Sequence, residues 1–100
     1  MAELDKEITL YGLQDYLKGK DHRPDAVTAY FYKLIEEVGE LSEVMRKNRR
    51  QEAGAGIKGT IEEELCDVLY YTVCLANAYG IDLESSFRQK DEINRRKWGN

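Results

Sequence analysis

One hundred residues make one ordinary domain, long enough to bury roughly 60 to 70% of the surface its unfolded chain exposes, so no disulfide or metal staple is needed for folding. Hydrophobic residues make up 42% and charged residues 34%, with a single proline, which excludes a disordered or fibrous chain and fits a compact helical one. The net charge of −4 argues against a nucleic-acid duplex as partner, since duplexes are bound by basic surfaces, and leaves open a free nucleotide held through a metal. No apolar run approaches the roughly 18 residues that span a bilayer, and no cleavable signal peptide is visible, so no membrane partner is expected and the cytoplasm is the expected location.

The first segment, Leu4 to Lys18, places Ile8, Leu10, Tyr11, Leu13 and Leu17 on a broad apolar face and ends at Gly19, a suitable C-terminal residue for a helix. A polar connector, Lys20 to Asp25, contains the lone histidine, His22, and Pro24; Asp25 then serves as N-cap of a second helix. Along this helix Leu34, Val38, Leu41 and Met45 repeat as a stripe expected to be buried, preceded by Tyr30, Phe31 and Tyr32. That aromatic cluster is expected in the core or a subunit contact before a base-stacking platform. Between Lys33 and Lys47 the same helix carries Glu36, Glu37, Glu40 and Glu43. Like charges one turn apart each cost a helix about 0.2 to 0.5 kcal/mol, and only Lys33, Arg46 and Lys47 are on hand to offset them. Glu37 and Glu40 fall just beside the expected stripe, so a divalent cation is the simplest neutralising partner.

Residues 48–59 form a loop with Arg49 and Arg50 at its start and Gly54, Gly56 and Gly59 within it. It lacks the spacing of a phosphate-binding loop, and a mobile connector is expected. Thr60 and Glu63 then fit a capping box, with Glu63 reaching back to the Thr60 amide, and Glu62 suits the first-turn dipole. Glu64 and Asp67 have no such explanation. They lie three apart on an apolar third helix that continues through Leu65, Val68, Leu69, Thr72, Val73 and Ala76 and stops at Gly80, and aspartate is a poor residue for a helix interior. Cys66 and Cys74, eight apart on this helix and so about 12 Å along its axis, cannot bridge each other and are expected as reduced core residues. Asp82 caps a last helix through Leu83, Phe87, Lys90 and Ile93 to Arg95, Arg96 and Lys97, ordinary partners of a helix C-terminus. The expected architecture is all-α: four helices forming a single domain over residues 1–100, with long antiparallel second and third helices.

Antiparallel pairing of those two helices sets the E-x-x-E face of Glu37 and Glu40 against the E-x-x-D face of Glu64 and Asp67. Four carboxylates gathered without counter-ions are hard to keep ionised. Oxygen-only ligands point to a hard cation, Mg²⁺ with Mn²⁺ as a substitute, and not to zinc. Because one Mg²⁺ takes only one or two protein carboxylates, four suggest more than one ion bridged by a phosphate-rich substrate.

The pattern Glu36, Glu37, Glu40, then Glu64 and Asp67 after a loop, resembles the E-E-x-x-E…E-x-x-D signature of the MazG-like all-α nucleoside triphosphate pyrophosphohydrolase superfamily. The likeness runs from the leading helix to the C-terminal N-R-R-K-W. It implies Mg²⁺-dependent hydrolysis of the α,β-phosphoanhydride of a nucleoside triphosphate, giving a nucleoside monophosphate and pyrophosphate, in nucleotide-pool house-cleaning. Carried over by position, it makes Glu37, Glu40, Glu64 and Asp67 metal ligands, with Glu36 a helper that orients or activates water and Glu36 or Glu40 the proton acceptor. It makes Asn94 and Lys97 phosphate contacts, with Arg95 and Arg96 as adjacent alternatives. Lys33, Lys58 or Lys97 would balance charge on the leaving pyrophosphate. Tyr11, Tyr16 and Tyr30 are candidates for the base pocket. The resemblance also implies a homo-oligomer, a dimer or dimer of dimers, in keeping with the aromatic surplus of Tyr30, Tyr32, Tyr70, Tyr71, Tyr79 and Trp98, with the site completed near a subunit interface. Two other readings stand beside this one: the phosphoribosyl-ATP pyrophosphohydrolase of histidine biosynthesis, and a non-catalytic helical oligomer or adaptor.

Overall fold

The computed structural model describes residues 3–99, which form four helices: α1 (Leu10–Lys20), α2 (Val27–Arg46), α3 (Ile61–Ala78) and α4 (Leu83–Trp98). No strand occurs among the described residues. The α2–α3 pair is the main packing unit; α1 lies on α3, and α4 on α1. None of these helices is long and apolar enough to cross a membrane.

Local chemistry sets the helix ends. Helix α1 begins later than the apolar pattern predicts, at Leu10 and not Leu4, because the Thr9 hydroxyl accepts the Gly12 amide at 2.9 Å and fixes the start there. At the far end Gly19 does not stop it; the chain leaves the helix at Asp21. Helix α2 lacks the cap expected from Asp25. A turn from Arg23 to Ala26 places Ala26 at the N-cap, with no side-chain bond. At its C-terminus Asn48 adopts φ +52° while the Arg49 amide donates to the Val44 carbonyl, the closing bond of a Schellman turn with asparagine in the left-handed position. Gly80, at φ +69°, closes α3 in the same way through the Ile81 amide on the Ala76 carbonyl. Asp82 caps α4 as expected, accepting the Ser85 amide.

The buried stripe of α2 keeps two of the expected members, Leu34 and Leu41, and replaces Val38 and Met45. Its less exposed positions are Tyr30, Leu34, Glu37, Leu41 and Val44, an alternation of four and three that keeps one seam against α3. Val38 and Met45 are instead 45% and 58% exposed and share a second apolar line with Phe31 and Ile35. The 3.6-residue pattern admitted both lines, and the closeness of α2 to α3 selects the one that puts Glu37 into the seam. Of the two cysteines, both free, only Cys74 is in the core; Cys66 is exposed.

Two polar clusters hold the helices in place. Buried Gln14 donates to the Asn77 side chain at 2.9 Å and the Ile81 carbonyl at 2.8 Å, and accepts the Leu83 amide at 2.8 Å; Asn77 returns a bond to the Gln14 carbonyl. One pair thus ties α1, α3 and the turn into α4. Asp21 does the same for α2 and α3, its carboxylate accepting the Tyr30 and Tyr70 hydroxyls at 2.8 and 2.7 Å. The Tyr70 hydrogen bond holds the Asp21 carboxyl below its ordinary range, against the opposing effect of burial, and helped by Tyr30 and Arg23. Burial pushes the Tyr70 phenol up strongly, as does Asp21 itself.

Candidate metal centre

The register of α3 is set at Thr60, whose hydroxyl accepts the Glu63 amide at 3.2 Å. The capping box closes one residue upstream of the expected place: Glu63 accepts the Gly59 amide at 2.7 Å, because the Thr60 amide already serves the Ile57 carbonyl. Glu62 does more than favour the helix dipole, accepting Arg50 at 2.9 Å and the Gln51 amide at 3.1 Å. Glu62 is thus tied to the loop, while Glu64 points into the seam, 8% exposed, and Asp67 follows one turn later, half-buried.

Across the seam Glu37 is half-buried and Glu40 exposed. One carboxylate oxygen from each of Glu37, Glu40 and Glu64 lies within 4.8 Å of the others, and the same holds for Glu63, Glu64 and Asp67. The two triplets share Glu64, so all four residues expected as metal ligands are brought together. Glu63 joins them, a member that sequence reasoning assigned wholly to capping; its spacing of four from Asp67 is the signal that points to it.

Electrostatics at this cluster is that of a site lacking a counter-charge. Burial, first, and then the neighbouring Glu64 and Glu40 push Glu37 up to about 7. Burial likewise raises Glu64, and raises Asp67 with help from Glu63 and Glu40. One oxygen of Glu37 and one of Glu64 are buried with no hydrogen-bond partner. A buried acceptor left unpaired costs about 1 to 3 kcal/mol, more when charged. An all-oxygen set with two such oxygens fits a hard divalent cation.

The other expected residues are placed differently. Glu36 is exposed beside the centre, outside both triplets, and pairs with Lys33 at 3.6 Å. Lys33 also lies close enough to Tyr71 to oppose the upward push of burial on that phenol, which Glu37 reinforces. Tyr71 lies one turn beyond Asp67 on α3, within electrostatic reach of Glu37. Of the tyrosines singled out from sequence, Tyr11 is exposed, Tyr16 lies under the Lys20 ammonium at 4.9 Å, and Tyr30 is buried with its hydroxyl committed to Asp21 and the Arg23 amide. Asn94 and Lys97 ride on α4, which packs on α1; Lys97 lies 5.6 Å from the Trp98 ring, and no hydrogen bond joins either residue to the carboxylates among the described residues. Arg96 is paired with Glu92 at 2.7 Å.

Comparison with known proteins agrees with the all-helical fold. The profile of the MazG nucleotide pyrophosphohydrolase domain matches residues 26–97. Human dCTP pyrophosphatase 1 is 37% identical over 70 residues, and its bovine counterpart 34%; the match takes in 65% of this chain and 41% of either relative, so the chain spans about two fifths of the length of these curated relatives. Crystal structures of iMazG from Vibrio DAT 722 superpose with TM-scores of 0.82 and 0.81 at 44% and 45% identity, covering 93% and 88% of this chain and 100% and 99% of theirs.

Proposed function

The chain belongs to the MazG nucleotide pyrophosphohydrolase domain family, and on that premise we propose that it hydrolyses the α,β-phosphoanhydride of nucleoside or deoxynucleoside triphosphates to a nucleoside monophosphate and pyrophosphate, as a single domain over residues 1–100, with Mg²⁺ as the metal. The observation that carries this reading is the pair of carboxylate triplets sharing Glu64, with its two unpartnered buried oxygens. An adaptor with merely solvated acidic faces gives no reason to bury Glu37 and Glu64 against each other. A cleaner of the nucleotide pool in the cytoplasm is the role we infer, in keeping with two free cysteines.

Glu37, Glu40, Glu64 and Asp67 would hold the metal, with Glu63 at the edge of the second triplet. When bound, Mg²⁺ draws charge from the phosphate oxygens and makes water a better nucleophile. The protein's own groups do the rest. Glu36, exposed one turn from Glu40, outside both triplets and paired with Lys33, would orient the attacking water and take its proton, a role Glu40 could share. Lys33, 3.6 Å from Glu36, would meet a phosphate oxygen. The Tyr71 ring offers the nucleotide an aromatic edge at the same site.

We further propose a homo-oligomer, a dimer or dimer of dimers. Phe31, Ile35, Val38 and Met45 on α2, and Leu65 and Leu69 on α3, are all exposed in the single chain, which is more apolar surface than a monomer usually leaves open. Asn94 and Lys97, which among the described residues make no ion pair with their own carboxylates, would then meet substrate near a subunit interface. A fully active monomer in sedimentation under assay conditions would sink that arrangement.

The test of the reaction is pyrophosphate release from a panel of canonical and modified triphosphates, dCTP included, plus phosphoribosyl-ATP, with Mg²⁺ and with chelator. Release is expected with Mg²⁺ only and absent in Glu40→Gln. No release from any substrate, with no Mg²⁺-dependent rise in melting temperature, would return the adaptor reading.

A further inference from the structure

We propose that the loop joining α2 and α3 is a second, metal-independent anion site that takes an oligophosphate group. Between Asn48 and Thr60 the loop lines an open depression of about 530 Å³ whose wall includes Arg49, Arg50 and Lys58 against a single carboxylate, Glu52. In a chain of net charge −4 this concentration of cations runs against the overall sign. Arg50 is spent on Glu62. Arg49 and Lys58 have no carboxylate within 4 Å among the described residues, so two cations from opposite ends of the loop face the depression without partners.

The loop is built to hold them there. The Arg49 amide is fixed on Val44 and its carbonyl accepts the Ile61 amide at 2.8 Å, which ties the two mouths of the loop together. Glu62 clamps Arg50 and the Gln51 amide, the Gln51 side chain donates to the Ala55 carbonyl at 2.9 Å, and Glu63 holds the Gly59 amide. A connector with this many cross-bonds is preorganised, contrary to the mobile linker expected from its glycines. The Ile61, Glu63 and Glu64 amides at the start of α3 are taken by the Arg49 carbonyl and by the hydroxyl and carbonyl of Thr60, so Arg49 and Lys58 supply the direct donors. The wall at Gly59 and Thr60 adjoins Glu63 and Glu64 in the chain, which puts the depression next to the carboxylates yet outside them. The choice of oligophosphate over other anions rests on the nucleotide reading above; its sources are free pyrophosphate or a triphosphate tail.

The experiment is calorimetric titration of the purified protein with pyrophosphate, and separately with a nucleoside triphosphate, in chelator. Without a divalent cation the acidic centre repels both ligands, and the double loop variant separates the loop from the arginines that α4 presents at Arg88, Arg95 and Arg96. Binding is expected for wild type and at least about tenfold weaker in Arg49→Ala/Lys58→Ala, with far-UV circular dichroism unchanged; the tighter ligand identifies the source. Absence of saturable binding in chelator, or equal binding by the double variant, overturns the proposal. Wild-type Mg²⁺-dependent pyrophosphate release tests the nucleotide reading on its own, so the two fail separately.

Discussion

Glu37→Gln gives the sharpest physical test of the centre, because it removes a charge that the apo fold resists. Unfolded, the Glu37 carboxyl titrates near its ordinary 4.5; folded, at about 7. A carboxyl whose folded value is raised contributes stability that is fully present below the unfolded value and is lost as pH rises through the folded one. Without metal, wild type should therefore weaken between about pH 4.5 and 7. At 1.36 kcal/mol per pH unit the ceiling is ~3 kcal/mol, which solvent access at a half-buried side chain coupled to Glu64 reduces to roughly 1 kcal/mol. In a domain of this size that is ~4–8 °C in melting temperature. The assay is thermal unfolding at fixed protein concentration in chelator at pH 5 and pH 8, repeated with Mg²⁺. In chelator the amide of the variant never ionises, so Glu37→Gln should melt above wild type at pH 8 and level with it at pH 5. With Mg²⁺ the order should reverse at pH 8, since wild type gains more from the cation than a variant left with the Glu63, Glu64 and Asp67 triplet alone. Identical curves for the two proteins at both pH values in chelator would refute the electrostatic reasoning, and an unreversed order in Mg²⁺ would refute the metal centre.

Three more expectations follow from the same geometry. Glu64→Gln should lose both pyrophosphate release and the Mg²⁺-dependent rise in melting temperature, whereas Glu36→Gln, outside both triplets, should lower kcat by about 100-fold or more and keep the rise; loss of the rise in Glu36→Gln would place that residue among the ligands. Asn77→Ala strands buried Gln14 and should cost roughly 2 kcal/mol by urea unfolding with an unchanged m-value. Asp21→Asn should destabilise by about 1 kcal/mol at neutral pH, and the difference should vanish as pH falls well below 3.8, because a depressed carboxyl stabilises only while ionised; a gap that persists in acid would show that the Tyr30 and Tyr70 contacts act without the charge.

What the sequence made legible, and what it hid, divides along the range of the interactions involved. Asp82 and Thr60 announced their helices because a cap is a contact three residues long, and four helices with an acidic face on the second and third could be read from periodicity and spacing alone. The seam of α2 could not. Tyr30, Leu34, Glu37, Leu41 and Val44 and the neighbouring line of Phe31, Ile35, Val38 and Met45 are equally helical, and hydrophobicity favours the second; only the position of α3 decides that a glutamate goes inward. That same placement turns Glu37 from a residue at the edge of the core into one whose oxygen is buried and unpartnered, so the error about burial and the strength of the metal argument have one cause. Glu63 shows the complementary limit. Its capping bond uses a single oxygen, and assigning the residue to structure on that ground overlooked that a carboxylate has a second oxygen to offer a site. The loop was misjudged for a related reason: its glycines report backbone freedom, while the bonds from Glu62 and Glu63 that restrain it come from the next helix and become visible only when α2 and α3 are set side by side.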